Sequence, residues 1–556
     1  MIRVENLSYS FPEKELYKNV SFTLKEGQHC AFIGSNGTGK TTLIDMIMDT
    51  EKYLYDGKII KDVSLRIGYV SQFAKREKNQ NISVFDYLSE KFVENQEKTA
   101  KVCEEMATAE DMESIFVEYQ KLLDEFQAMD GDNYESNIRK QLKNAGMNKQ
   151  EHLFLSQLSG GEYKLLQVMK EMLLKPNLLI MDEPDVFLDF ENLNGLCGLI
   201  NGYKGTLLVI THNRYLLNHC FDKMLHLENA DIQEFDGNYN AYNFALLQKK
   251  IEIQEQAIVD EEEIKRNEEM VDRMRKTATN MSIASLGRTV HARQTHLDML
   301  RARQIKAPFI DISEPEIVLP DVEGEEDKVV LKVENYKIAF EEDLLTDVSF
   351  EIKGTEKVAI VGPNGTGKST LLQQIYQHAK MQQDGEFDKT NEKNNSSIAI
   401  SEGVTIGFLE QIEGENLSGG EQNLLQLAKL RECGANLLLL DEPNSHLDTY
   451  AQIALEKAIA SYKGAVIMVS HDFYNIVNCV DYVLLIEDKS VRRMRMRSFR
   501  KMIYERHFDK DYLEIEQKKK ELETQVASAL KNKKVETAKM LCEQLGEVIE
   551  KLQYHS

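Results

Sequence analysis

The chain has 556 residues, of which 42% are hydrophobic and 29% charged, values typical of a folded protein with several domains. We expect a soluble cytoplasmic protein, because no apolar run reaches the roughly 18 residues of a membrane-spanning helix and the N-terminus lacks a signal-peptide pattern. The seven cysteines are never in CxxC spacing, so we expect neither zinc nor disulfides. The net charge of −24 would repel nucleic acid on average, but residues 273–306 and 492–556 have a basic excess, which indicates local docking surfaces.

The first element that carries chemistry is an apolar strand at 31–33, followed by a glycine-rich loop and a helical pattern. The same succession returns after the strand at 358–361. GxxxxGK[ST] in this context is typical of a phosphate-binding loop, in which backbone N–H groups face phosphate oxygens and Lys40 and Lys368 reach the β- and γ-phosphates of ATP. The predicted ATP-binding residues of the two loops are Gly34, Ser35, Asn36, Gly37, Thr38, Gly39, Lys40, Thr41 and Thr42, and Gly362, Pro363, Asn364, Gly365, Thr366, Gly367, Lys368, Ser369 and Thr370.

Three further segments also occur twice, in the same order. They are LSGGE at 158–162 and 417–421, an apolar strand ending in Asp-Glu-Pro at 178–184 and 437–443, and Thr-His or Ser-His at 211–212 and 470–471. A repeated order of this kind predicts a duplicated module. We therefore predict an α/β fold with two P-loop ATP-binding domains, at 1–238 and 328–491.

Oxygen-bearing side chains that suit Mg²⁺ accompany each loop. The predicted Mg²⁺ residues are Thr41, Gln72 and Asp182 in the first copy, and Ser369, Gln411 and Asp441 in the second. The acids that directly follow the two aspartates, Glu183 and Glu442, are predicted to polarise the attacking water.

The LSGGE segments make both copies resemble the ATPase domains of ABC proteins. The resemblance implies that the two domains clasp ATP head to tail, so that the LSGGE segment of one copy completes the site of the other, and that His212 and His471 contact the γ-phosphate. Since one chain contains both copies, a monomer is expected to suffice. The implied LSGGE contacts are Ser159, Gly160 and Gly161 for the site of Lys368, and Ser418, Gly419 and Gly420 for the site of Lys40.

Three further features make the whole chain resemble the ABC-F family, tandem ABC ATPases that act on ribosomes. They are the absence of a membrane segment, the sequence Phe-Asp-Gly-Asn-Tyr at 235–239, and a helical hairpin predicted at 239–306. The resemblance implies that the hairpin enters the ribosome near the peptidyl-tRNA, that ATP closes the domains, and that hydrolysis releases the factor. Resetting of stalled ribosomes, general control of translation and protection from antibiotics all remain open as its purpose.

The hairpin is also predicted from the residues, because apolar side chains follow the 3/4 spacing of a coiled coil. A first helix over 240–277 would extend roughly 55 Å at 1.5 Å per residue. Cations cluster near its turn, and guanidinium groups suit phosphates and bases, so we predict RNA contacts there. The candidates are Arg273, Arg275, Lys276, Arg288 and Arg293.

The rest of the chain is predicted as an extended connector at 307–327 and, at 492–556, a basic strip followed by a second helical hairpin. The arginines of this strip, such as Arg492 and Arg497, indicate a surface that faces RNA or DNA. A DNA-binding ATPase therefore stays open as an alternative, and so does the ATP-binding subunit of an ABC transporter.

The two copies differ in ways that predict unequal ATP turnover. Between Gln72 and Leu158 lie 85 residues, enough for a helical subdomain, whereas only five separate Gln411 from Leu417. Asn213 also follows the first histidine of the pair where Asp472 follows the second. Without a helical subdomain, the second copy lacks the region that docks on membrane partners in transporters, which argues against that alternative.

Overall fold

The computed structural model describes residues 2–12, 14–62, 64–72, 81–106, 112–186, 188–281, 290–291, 293–295, 298–299, 315–339, 343–383, 397–411, 419–507 and 512–555. The chain forms two compact units. The first unit comprises Met1–Asn238 and Glu314–Lys501, and the second comprises Tyr239–Ser313 and Met502–Ser556. Among the helices within these ranges, none has both the length and the apolar character needed to cross a bilayer.

The first copy is built on a six-stranded sheet in the order β5-β6-β7-β3-β8-β9, next to a three-stranded antiparallel sheet β2-β1-β4. Its strands are β1 Ile2–Phe11, β2 Lys14–Leu24, β3 His29–Ile33, β4 Asp56–Lys61, β5 Ile67–Val70, β6 Leu178–Asp182, β7 Thr206–Ile210, β8 Lys223–Glu228 and β9 Asp231–Asp236. Its helices are α1 Lys40–Met48, α2 Val84–Met106, α3 Met112–Ala128, α4 Tyr134–Asn144, α5 Gly160–Leu173, α6 Phe190–Gly202 and α7 Arg214–His219.

Burial explains the order of the central strands. Every residue of β6 and β7 is buried, and both pair in parallel with their neighbours. Parallel strands covered on both faces need such continuous apolar runs. Since ligands bind at the carboxyl ends of strands in open α/β sheets, the residues that follow β3, β6 and β7 form one edge of the site.

A single helix, α8 (Tyr239–Met281), follows the first copy, as the sequence predicts. Near its end the Arg275 guanidinium donates a hydrogen bond to the Gln294 amide oxygen at 3.0 Å, so the chain returns alongside the helix. Val271, on the same part of α8, is only 3% exposed. These contacts fit the predicted hairpin.

The second copy repeats the first on a nine-stranded sheet in the order β13-β10-β11-β18-β17-β12-β16-β15-β14. Here the antiparallel strands join the central sheet, since β11 pairs in parallel with β18 at Asp347 and Ser490. Its strands are β10 Val329–Ala339, β11 Asp343–Lys353, β12 Lys357–Val361, β13 Ser397–Ile400, β14 Ile406–Leu409, β15 Leu437–Asp441, β16 Ala465–Val469, β17 Tyr482–Glu487 and β18 Ser490–Arg495. Its helices are α9 Lys368–Gln383, α10 Gly419–Glu432, α11 Thr449–Ser461, α12 Phe473–Cys479 and α13 Met496–His507.

The helical subdomain differs between the copies as the spacing predicts. In the first copy α2, α3 and α4 lie between β5 and α5, and α2 packs against α3, α4 and α5. In the second copy α10 follows β14 with no described helix between them. Residues 412–418, including Ser418, lie outside the described part of the chain.

The chain ends in two further helices, α14 (Tyr512–Lys531) and α15 (Val535–His555), which form an antiparallel hairpin. This hairpin packs on the first turns of α8, where Ile251 contacts a cluster that includes Val526 and Ala538. A Gln254 amide also donates to the Leu530 carbonyl at 2.9 Å. The α/β fold with two P-loop modules and helical hairpins is thus confirmed, and the terminal hairpin is one body with the base of α8.

Candidate nucleotide-binding sites

Each phosphate-binding loop joins a buried strand to a helix: β3 to α1 in the first copy and β12 to α9 in the second. Gly39 precedes α1 at φ 104°, a left-handed conformation that favours glycine. A Cβ on Gly34 would lie 2.3 Å from the Leu227 carbonyl oxygen, so that position also needs glycine. The loops therefore leave their backbone close to the space at the head of each helix, the geometry that binds phosphate.

The two loop lysines lie at the centre of their loops. The Lys40 ammonium donates to the carbonyl oxygens of Gly34 at 2.9 Å and Ser35 at 3.0 Å, and Lys368 donates in the same way to Gly362 and Pro363 at 2.9 and 2.7 Å. Burial lowers the pKa of both lysines, and nearby carboxylates, first Glu183 for Lys40 and Glu442 for Lys368, oppose that shift. Each lysine is thus a buried cation directed into a loop that fits polyphosphate.

The predicted Mg²⁺ residues meet in pairs at the helix starts. The Thr41 hydroxyl donates to the Asp182 carboxylate at 3.2 Å, and the Ser369 hydroxyl donates to Asp441 at 3.1 Å. A hydroxyl and a carboxylate are the few protein oxygens that Mg²⁺ takes when phosphates supply the others. These donor sets therefore fit Mg²⁺ bound together with a nucleotide.

Glu183 and Glu442 follow these aspartates in a rare backbone conformation, with φ of 44° and 47°. Burial, with the adjacent aspartate adding to it, raises the pKa of Glu183 to about 7 and that of Glu442 to about 8. Their partners differ: Glu183 accepts a hydrogen bond from the Gln72 amide at 2.6 Å, whereas a Glu442 oxygen lies 3.5 Å from the His471 ring. A carboxyl with a pKa near neutrality is suited to accept a proton from water.

Both predicted histidines are buried at the ends of β7 and β16. Neither ring nitrogen of His212 has a hydrogen-bond partner among the described residues, and Nδ1 of His471 also has none there. Burial lowers the pKa of His212 well below its ordinary value and that of His471 to about 3, and the loop lysine adds to each shift. Since buried polar atoms are nearly always paired, these nitrogens indicate room for a ligand group.

The second copy's loop faces the first copy's LSGGE segment across one cavity of about 460 Å³. Lys368, Ser369 and Glu442 line one side of it, and Gly160 and Gly161 line the other. Ser159 directly precedes α5, where its hydroxyl oxygen accepts from the Glu162 N–H at 3.2 Å. Its hydroxyl proton stays available for an anion, because that oxygen acts as acceptor in the cap.

The equivalent partner of the first loop is only partly described. Gly419 and Gly420 begin α10, and Ser418 lies outside the described residues. In the structure, the segment before α11 contacts the first phosphate-binding loop. The Asn36 amide group donates to the His446 carbonyl at 2.7 Å, and the Asn36 backbone N–H donates to the Asp448 carboxylate at 3.0 Å.

Sequence reasoning missed the contacts that these aspartates make. Asp448 and its counterpart Asp189 each directly precede a helix and cap it with one carboxylate oxygen. The other oxygen accepts from the opposite copy's loop, at Asn36 and, at 3.2 Å, at Asn364. The repeated Leu-Asp before each helix was the available signal, but no local pattern shows which loop it meets.

The predicted RNA contacts belong to the hairpin. Arg273, Arg275 and Lys276 are exposed on α8, and Arg293 is exposed on the returning segment. Arg273 forms an ion pair with Glu269 at 3.4 Å. Arg288 lies outside the described residues.

Comparisons with known proteins agree with this arrangement. A family model described as "ABC transporter" matches residues 17–186 and 345–413. The chain is 28% identical to ABC transporter F family member 2 of Arabidopsis thaliana, over 88% of this chain and 76% of that protein. It is 27% identical to the energy-dependent translational throttle protein EttA of Haemophilus influenzae, over 85% of this chain and 89% of that protein. The fold also matches a solved structure of RNase-L Inhibitor with a TM-score of 0.51 and 16% identity, over 90% of this chain and 92% of that one.

Proposed function

We propose that this chain, which belongs to the ABC-F family of tandem ABC ATPases, is a cytoplasmic translation factor that binds the ribosome through its interdomain hairpin. One observation carries the proposal: a chain with two facing ATP sites continues directly from its first copy into a 43-residue helix that bears exposed cations near its far end. The name of the similar protein EttA places that relative in translation.

Each ATP site assigns separate tasks to its residues. Loop N–H groups and Lys40 or Lys368 bind the phosphates, and the opposite LSGGE segment binds the γ-phosphate from the other side. Glu183 and Glu442 orient water and accept its proton, while His212 and His471 donate from a ring nitrogen to the γ-phosphate. Mg²⁺, held through Thr41–Asp182 and Ser369–Asp441 with Gln72 and Gln411 nearby, supplies neutralisation of the phosphate charge when it is bound.

Because each nucleotide touches both copies, ATP stabilises the closed arrangement and hydrolysis removes that stabilisation. The chain carries both halves of each site, so a monomer can close. We propose that the closed form holds the hairpin beside the peptidyl-tRNA, with Arg273, Arg275, Lys276, Arg288 and Arg293 contacting RNA, and that hydrolysis releases it.

The test is sedimentation of the Glu183→Gln/Glu442→Gln variant with 70S ribosomes through a sucrose cushion. This variant should bind ATP without hydrolysing it, so we expect it to pellet with ribosomes only when ATP is present. A Lys40→Ala/Lys368→Ala variant, in which phosphate binding is weakened, is the matched control and should stay in the supernatant. If the first variant also stays in the supernatant with ATP, the ribosome proposal is wrong.

Two further experiments distinguish the alternative functions, which are DNA binding, ribosomal protection and general control of translation. Binding of the Glu183→Gln/Glu442→Gln variant to branched DNA and not to ribosomes would favour a DNA-binding ATPase that uses the terminal hairpin. Protection of cell-free translation from a drug bound near the peptidyl-transferase centre, by the active chain, would identify ribosomal protection as its purpose. Equal inhibition with and without the chain would instead favour general control of translation.

A further inference from the structure

Arg214 is a buried cation at the contact between the two copies. It begins α7, two residues after His212, and only 9% of the residue is exposed. Its guanidinium donates to the Glu456 carboxylate on α11 of the second copy, lies 3.8 Å from Asp472, and stands 4.8 Å over the ring centre of Tyr474. The segment that follows one ATP site is thus held by charges on the opposite copy.

The acids that Arg214 meets belong to the other ATP site. Asp472 directly follows His471 and caps α12 through the Asn475 N–H at 3.0 Å. It also accepts from the Asn444 amide at 3.3 Å, and Asn444 lies two residues after Glu442. A path made of contacts and of sequence neighbours therefore links the two sites. It runs along the chain from His212 to Arg214, by charge from Arg214 to Asp472, and then to His471 beside it.

The two copies carry different residues at the positions that correspond to Arg214 and Glu456. Phe473 stands two residues after His471 as Arg214 does after His212, and Cys197 stands eight residues after Asp189 as Glu456 does after Asp448. In place of an ion pair, Phe473 meets Phe190 edge to face at 6.4 Å. The repeat has thus placed a charged contact on one side of the interface and an aromatic contact on the other.

The energetics of burial make the charged contact sensitive to movement. A buried ion pair is stable only while both partners meet, because separating them leaves an uncompensated charge in a medium of low dielectric constant. A displacement of His212 that moves α7 must therefore carry Asp472 and Glu456 with it. An aromatic contact tolerates sliding more readily, since dispersion is not directional.

We propose that Arg214 is a positioning residue that couples the two ATP sites, so that hydrolysis at one site changes the rate at the other. Arg214 acts through His212 and Asp472 and does not touch the nucleotide. The proposal goes beyond the proposed ribosome function, because it concerns ATP hydrolysis by the isolated chain.

The experiment compares rates in two backgrounds. In each background, ATP turnover is measured for the parent and for its Glu183→Gln and Glu442→Gln derivatives, and the summed derivative rates are divided by the parent rate. With Arg214 present, we expect a ratio well below one, because blocking either site slows the other. In the Arg214→Met/Glu456→Met background the ratio should rise about fivefold or more, toward the value for independent sites.

The double substitution is chosen because it removes both partners of the closer pair, and Asp472, which remains, keeps its hydrogen bonds from Asn475 and Asn444. Such replacements of an ion pair by apolar residues often leave folding intact. The control background is Lys223→Met/Glu234→Met, which removes an ion pair within the first copy between the buried Lys223 and the exposed Glu234, 2.5 Å between their charged atoms. Its ratio should equal that of the natural sequence. The single Arg214→Lys variant keeps the cation and should lie between the two extremes.

Two results would overturn the proposal. One is a ratio near one with the natural sequence, which means that the sites do not influence each other. The other is a ratio in the Arg214→Met/Glu456→Met background within twofold of the natural one, even if the thermal midpoint falls, since Arg214 would then be a structural contact alone.

Discussion

The backbone N–H of Asn36, in the phosphate-binding loop of the first copy, donates a hydrogen bond to the carboxylate of Asp448, in the second copy, at 3.0 Å. The contact recurs at Asn364 and Asp189 at 3.2 Å. Each aspartate also caps the helix that directly follows it. The same carboxylate thus binds the first turn of its own helix and the phosphate-binding loop of the other copy. The geometry of each predicted ATP site therefore depends on both copies.

Replacing Asp448 by alanine should therefore reduce both stability and activity. Loss of the cap lowers the free energy of unfolding by about 1 kcal/mol, and loss of the charged contact to Asn36 should slow ATP hydrolysis about tenfold. Denaturant unfolding and steady-state ATPase rates measure the two effects. Ser83→Ala is the control, because Ser83 caps α2, in the helical subdomain of the first copy, through the Asp86 N–H at 3.1 Å. An equal loss of ATPase rate in Ser83→Ala would contradict the role of the interface.

The two acids that we propose as general bases, Glu183 and Glu442, predict an ATPase rate that rises with pH. Burial raises the pKa of Glu183 to about 7 and of Glu442 to about 8, and the ionised form is the one that accepts the proton. We therefore expect kcat/KM in Glu442→Gln to rise through pH 7, where Glu183 ionises, and that in Glu183→Gln to rise through pH 8. ATP affinity of the double Gln variant, measured over the same range, corrects for ionisation of ATP. Profiles that are flat after this correction would exclude these residues as the bases.

The two sites should turn over ATP at different rates. Glu183 is held by Gln72, whereas Glu442 lies beside His471, and the second copy has no described counterpart of α2, α3 and α4 to place its LSGGE segment. The residual ATPase rates of the Glu183→Gln and Glu442→Gln variants should accordingly differ. Rates are measured by phosphate release at saturating ATP. Equal residual rates in the two variants would refute unequal turnover.

The terminal hairpin should stabilise the base of α8. Ala538 on α15 is fully buried against the cluster that contains Ile251, whereas Met540, two residues on, is 61% exposed. Ala538→Glu places a charge in this cluster and should lower the free energy of unfolding by about 3 kcal/mol or more. Met540→Glu should change it by less than about 0.5 kcal/mol. Limited proteolysis within α8 and thermal unfolding measure both, and equal behaviour of the two variants would contradict the packing.

The exposed cations of the hairpin should determine ribosome affinity and its salt dependence. Replacing Arg273, Arg275, Lys276 and Arg293 by glutamate should abolish ATP-dependent co-sedimentation and reduce the slope of affinity against salt, because phosphate contacts release counterions. ATP hydrolysis by the isolated chain should be unchanged. The control is Arg266→Glu, at a cation on the same helix that lies farther from the turn of the hairpin and pairs with Glu262. Full ribosome binding by the fourfold variant would place the contact elsewhere.

The amino-acid sequence by itself determines what each copy contributes to its own site. A phosphate-binding loop is a local structure, so GxxxxGK[ST] between an apolar strand and a helical pattern locates Lys40 and Lys368 without any tertiary information. The strand ends that carry Asp182 and His212 follow by the same reasoning, because parallel strands present their carboxyl ends along one edge. The repeat and its order also determine that there are two such sites.

Only the tertiary structure decides which residues of the opposite copy meet them. Asn36 and Asp448 are 412 positions apart, and Arg214 and Glu456 are 242 apart. The terminal hairpin likewise meets α8 across 276 positions, at Gln254 and Leu530. Such contacts depend on how separately folded surfaces fit, and periodicity or capping reports only on neighbours within a few turns of the chain. The residues that each copy contributes to its own ATP site are therefore predictable from local sequence. The contacts between the two copies arise from packing between segments that are far apart in the sequence.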